Sequence, residues 1–106
     1  MADQTQVDLL QAGVEEWNAW REANSEVEVD LSKADLSKAD LSGANLRDAN
    51  LRFADLRFAN LSHTDLRDAN LRGANLRDAN LRGTDLRDAN LDYTNLSRTA
   101  LRDAIR

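Results

Sequence analysis

The sequence predicts a solenoid capped at its N-terminus by a helix. Three observations predict it. Leucines recur at an unbroken five-residue spacing, small and polar residues recur at fixed offsets from them, and a helix-like apolar period is confined to the residues before the first leucine of the column. The column holds fifteen leucines, Leu31, Leu36, Leu41 and onward to Leu101. On an α-helix a spacing of five advances the direction by about 500°, a net turn of about 140°, which scatters the leucines around the cylinder. On a flat strand an odd spacing sends every second leucine to the wrong side. A backbone that turns once per five residues points every leucine at one axis. Its core is then built by stacking coils.

The N-terminal segment comes first in the chain. Residues 5–24 read as one amphipathic helix. Val7, Leu10, Val14 and Trp17 recur at helical spacing, and Leu9 and Trp20 widen the stripe. Thr5 followed by Asp8 has the form of a capping box, and Asn24–Ser25 supplies a stop. Gly13 falls inside that helix at a cost of about 1 kcal/mol relative to alanine, and lets it approach another backbone closely. Val27, Val29 and Leu31 then alternate as a short strand feeding the first coil. The chain thus divides into a cap with its lead-in, residues 1–28, and a repeat region, residues 29–106. An open solenoid end exposes leucines and unpaired backbone. Leu10, Val14, Trp17 and Trp20 are the expected cover. The alternative is a partner-binding or membrane-surface stripe. Glu15, Glu16 and Glu22 on its polar side oppose binding to anionic membranes.

Within the repeats, a small residue stands two before each leucine, Ala34 and Ala39 through to Thr99. Asp or Asn stands one before, from Asp30 to Asn95, and Ser or Arg one after, with a single exception there at Asp92. The residue two after varies freely. The unit reads A-[D/N]-L-[S/R]-x, as in Ala44-Asn45-Leu46-Arg47-Asp48. This unit resembles the pentapeptide repeat family over about Val29 to Ala104. The Trp17–Arg21 stretch leading into Asp-Leu-Ser repeats is similar to small cyanobacterial members. The resemblance implies an all-β solenoid, a right-handed quadrilateral β-helix with four five-residue faces per coil. Leucine and the small residue point inward in it. Just under four coils are expected. Physical reasoning agrees: leucine fills the axis, Ala or Thr fits the cramped corner, and Asp and Asn tolerate tight turns.

Four repeats per coil stack residues twenty apart, at about 4.8 Å. One face then carries Arg47, Arg67 and Arg87 beside Asp48, Asp68 and Asp88. It reads either as self-neutralised or as an arginine row for an anionic partner. Phe53 and Phe58 take the variable position on neighbouring faces of one coil. Tyr93 lies two coils above Phe53 with Gly73 between, a notch floored by glycine. These aromatics are either scattered surface residues or a protein contact rimmed by Arg52 and Arg57. At the C-terminus Ala100 breaks the pattern, the next inward slot falls on Arg106, and Ile105 sits one position early. Either Ile105 folds back as a plug, leaving a monomer, or two copies stack end to end as a weak homodimer.

Composition narrows the function. The chain has no cysteine and one histidine, His63, so no disulfide framework, thiolate metal site or catalytic constellation is expected. No metal, cofactor or Gly-rich phosphate loop is expected either. No run approaches the roughly 20 apolar residues of a membrane span, and no signal peptide is seen, so the expected location is cytoplasmic. The net charge of −5 is unevenly placed: seven acids against Arg21 give −6 in residues 1–28, and thirteen Lys and Arg against twelve Asp give +1 in the rest. Direct nucleic-acid binding is therefore not expected. The expected role is a non-enzymatic scaffold for a protein partner. The alternative, which the resemblance suggests, is a DNA mimic that binds a type II topoisomerase such as DNA gyrase. The relatives with that role are longer, strongly acidic rods, whereas these repeats are near neutral.

Overall fold

In the computed structural model, which describes residues 2–106, the backbone turns once per five residues from Asp30 onward. Twelve isolated parallel bridges, from Asp30 with Asn50 to Asp85 with Ile105, all join residues twenty apart. This is the register that four faces per coil require. The molecule is a right-handed quadrilateral β-helix. Each face contributes a single bridged residue, because the chain turns again before a longer strand can form. Leu31 through Leu86 are at most 3% exposed and fill the axis, with Ala44 through Ala79 packed at the corners.

Nearly every backbone N–H within the coils has a partner, as a buried backbone requires. The small residue donates back to the leucine carbonyl of its own turn, as in Ala34 to Leu31 at 3.1 Å. The leucine, the variable residue and the Asp or Asn bond to adjacent coils, as in Leu31 to Asn50, Lys33 to Arg52 and Asn50 to Val29. From Leu31 to Leu96, the residue after the leucine donates to the Asp or Asn side chain two before it, as in Ser32 to Asp30 and Arg52 to Asn50. Thr64 and Thr84 take the alanine slot because their hydroxyls donate to the Leu41 and Leu61 carbonyls of the coil below.

The cap differs from the sequence expectation of one helix over 5–24. There are two helices, α1 (Gln4–Ala12) and α2 (Val14–Ala23), broken at Gly13. Gly13 has φ 151° and ψ 148°, a conformation open essentially to glycine alone. The N-cap is Asp3, not Thr5: its carboxylate accepts from the Thr5 and Gln6 N–H groups at 3.0 and 3.3 Å. A strand over 27–31 does not form. Val27 is exposed, and Val29 is buried in the first small-residue slot.

The last coil is open. Leu91, Leu96 and Leu101 are only half-buried. Ile105 does not plug the axis. It occupies the Asp/Asn position, donates to the Thr84 carbonyl at 2.9 Å, accepts from Leu86 at 2.6 Å, and leaves its side chain 49% exposed.

Candidate protein-contact face

Phe53, Phe58 and Tyr93 all project outward from the variable position, at 50%, 55% and 81% exposure. That position is the third residue of each Leu-x-x-Ala turn, and its φ is positive throughout, 59° at Phe53, 62° at Phe58 and 60° at Tyr93. The left-handed backbone turns each side chain away from the axis. The expected notch between Phe53 and Tyr93 is altered in one respect. The Phe53 ring lies over Gly73, where a Cβ would collide with it, so Gly73 is a seat for the ring rather than an empty floor. His63 sits over Gly83 in the same way, with Nδ1 2.6 Å from where a Cβ would be.

The two arginines expected to rim the face behave differently. Arg57 grips Asp55 with two hydrogen bonds, Nε to Oδ1 at 2.9 Å and Nη2 to Oδ2 at 2.7 Å. Arg52 follows Asn50, has no such partner, and stands 5.6 Å from the Phe53 ring centroid. Arg72, which the sequence reading left out of the face, stands 4.9 Å over Tyr93. The twenty-residue register was the signal that could have included it.

The same contrast runs through the molecule. Wherever Asp-Leu-Arg occurs, at 55–57, 65–67 and 85–87, the arginine holds its own aspartate bidentately. These hydrogen bonds hold Asp55 and Asp65 below the usual carboxylate range, and Asp85 at about 2. The arginine column of 47, 67 and 87 is neutralised, but its main partners are Asp65 and Asp85 rather than the adjacent aspartate column. Contacts to Asp48 and Asp68 are looser, at 3.9 Å from Arg47.

The apolar residues of the cap pack against the core of the coils. Leu10 and Trp17 are buried, Val14 and Trp20 half-buried, and the two indoles lie 5.3 Å apart. The polar residues of the cap were not foreseen. Gln6 accepts from the Asp30 N–H at 2.8 Å and donates to the Glu28 carbonyl at 2.9 Å. Trp17 Nε1 donates to the Asn45 carbonyl at 2.8 Å, and Asn18 accepts from the Asn45 N–H at 2.7 Å. Arg21 donates to the Arg47 carbonyl; burial lowers its pKa, against the opposing pull of Asp48 and Asp65. Side chains here stand in for the coil that would lie below. Among the described residues, no group of three His, Cys, Asp or Glu is placed to hold a metal, and no helix is long and apolar enough to cross a membrane.

A leucine-filled stack of identical coils, each bonded only to its neighbours, defines a solenoid repeat protein. The chain belongs to the pentapeptide repeat family: the pentapeptide repeats profile matches residues 30–68 and 69–105. It is similar to the crystal structure of alr5209, a pentapeptide repeat protein from Nostoc PCC 7120, with 36% identity over 92% of this chain and 74% of that one and a TM-score of 0.73. It is also similar to HetL of the same cyanobacterium, a pentapeptide repeat protein involved in heterocyst differentiation regulation. There the identity is 38% over 76% of this chain and 40% of that one, with a TM-score of 0.41. Rfr23 of Cyanothece 51142 is 40% identical over 73% of this chain and 59% of that one, with a TM-score of 0.37. The chain thus spans less than two thirds of the length of the last two. No curated protein matches it.

Proposed function

We propose that this protein is a non-enzymatic scaffold that contacts a protein partner through the two adjoining faces carrying Phe53, Phe58 and Tyr93. The observation that carries this reading is the exposure of three large aromatic side chains on two adjoining faces of the coils, whereas the other exposed large apolar residues, Val27 and Ile105, lie near the two ends. Aromatics beside arginine are the residue types that anchor protein interfaces. The hydroxyls of Ser32, Ser37, Ser42 and Ser97 donate to the Asp or Asn of their own turns, which accounts for them as turn residues. A cytoplasmic location and a monomer in dilute solution, with weak end-to-end pairing through the half-buried Leu91, Leu96 and Leu101, belong to the same reading.

The test is a pull-down from a lysate of the source organism, with wild-type protein and the F53A/F58A variant as paired baits. A partner held by wild type and lost by the variant is the expected result. Equal capture by both baits, or none by wild type, would overturn it.

A further inference from the structure

We propose that the edge of this face formed by Lys33, Arg52 and Arg72 binds an acidic, extended segment of the protein partner. The inference rests on the contact face just described and names the chemistry of what it contacts. Its basis is the difference between Asp-Leu-Arg and Asn-Leu-Arg. Arg52 and Arg72 follow Asn50 and Asn70, whose side chains accept from the arginine backbone N–H at 3.1 Å but carry no charge. Among the described residues, no carboxylate lies within 4.0 Å of either guanidinium. Among the described residues, neither guanidinium has a hydrogen-bond acceptor.

What holds them is aromatic. Arg52 stands over Phe53 and Arg72 over Tyr93. A ring beneath a guanidinium engages its flat face and leaves its N–H edge to solvent. That edge is the part that binds a carboxylate bidentately. The two arginines stack one coil apart, about 4.8 Å, with Phe53 and Tyr93 exposed beside them and Lys33 below Phe53 in the variable column. A segment that satisfies this edge carries acids on one side with apolar residues between. Alternate side chains of an extended chain lie about 6.6–6.8 Å apart, within the reach of two long arginines.

A nucleic acid fits less well. Asp92 ends the arginine column above and Ser32 ends it below, so the basic run is short. The cap's −6 also repels the continuous charge of a nucleic-acid backbone more strongly than a few spaced carboxylates. Arg82 and Arg102, stacked on the face that carries His63, provide a built-in comparison. They too have no carboxylate within ion-pair distance, but no ring backs them.

The experiment is a fluorescence-anisotropy titration with a labelled decapeptide of alternating glutamate and leucine, run beside a labelled oligothymidylate of equal length. Wild type should bind the peptide more tightly than the oligothymidylate. R52E/R72E should weaken peptide binding roughly tenfold, two charge pairs' worth. R82E/R102E should stay within about twofold of wild type, as expected of substitutions away from the contact. No peptide binding, equal loss in both double variants, or oligothymidylate binding as tight as the peptide would each overturn the proposal. In the paired pull-down, a partner lost by F53A/F58A but retained by R52E/R72E would leave the contact face standing and remove the acidic segment.

Discussion

Asp48, Phe53 and Tyr93 share a backbone conformation that turns usually reserve for glycine, φ near +60° at the third turn position. The cost for an ordinary residue is roughly 1–2 kcal/mol. It is tolerated because the side chain meets only solvent or the next coil, and the N–H bonds upward, as Lys33 does to Arg52. Gly43 and Gly73 separate strain from contact. A Cβ on Gly43 meets open space, whereas one on Gly73 meets the Phe53 ring. Gly43→Ala should therefore cost about 1 kcal/mol and Gly73→Ala about 1 kcal/mol more, by urea denaturation. In a Phe53→Ala background the two should become equal; an unchanged difference would show that Phe53 does not rest on Gly73. The sequence marks this column only as variable. Its fixed conformation is hidden, because three glycines among the fifteen repeats are its only trace. The aspartates add a pH dependence. Asp55, Asp65 and Asp85 titrate lower when folded than unfolded, so they contribute stability above the unfolded value of 3.8 and lose it as pH falls toward about 2. The urea midpoint should be insensitive to these groups from neutral pH down to about 5, then fall between about 4 and 2. Replacing the three by asparagine keeps the turn acceptors and should flatten that fall. An identical pH profile would show that the Asp–Arg pairs do not couple to folding.

The capping element works by substitution of backbone partners. Trp17 and Asn18 take up the C=O and N–H of Asn45, and Gln6 the N–H of Asp30 and the C=O of Glu28, in place of a preceding coil. Trp17→Phe keeps most of the packing but leaves the Asn45 carbonyl without its donor. It should cost about 1–3 kcal/mol, read as a lower thermal midpoint by circular dichroism. Asn18→Ala should cost a similar amount, and Glu22→Gln on the exposed side should cost less than about 0.5 kcal/mol. Equal shifts for all three would mean that the cap is held by apolar contact alone. The apolar half of this cap was readable from Val7, Leu10 and Trp17, because helical period survives in a sequence. Its polar half was not, since an asparagine among acids carries no mark of the carbonyl it will meet. Gly13 misled for a related reason: a glycine tolerated inside a helix and one that ends it look alike without the ψ angle.

The whole rod is electrically divided, with −6 in residues 1–28 and +1 in the repeats. Mimicry of duplex DNA needs a continuous negative field along the rod. Here three of the Asp columns' carboxylates are tied to arginines in bidentate pairs. DNA gyrase supercoiling should therefore be unaffected by low-micromolar protein. Inhibition at that concentration would favour the topoisomerase reading over the scaffold. At this scale the sequence was most legible. One residue, leucine, at one period determines coil, register and core, and the twelve bridges follow it without a slip.

That register gives the rod a simple grammar of insertion. Because neighbours are twenty residues apart, adding four repeats lengthens the molecule by one storey and leaves every column above it in line. Adding a single repeat after Leu66 keeps the core intact yet rotates everything downstream by a quarter turn. Tyr93 would then leave the side of Phe53, and Arg72 the side of Arg52. Length can thus change without disturbing the fold while the surface is rewritten wholesale, so a lineage of such rods can diversify its contacts by slippage alone.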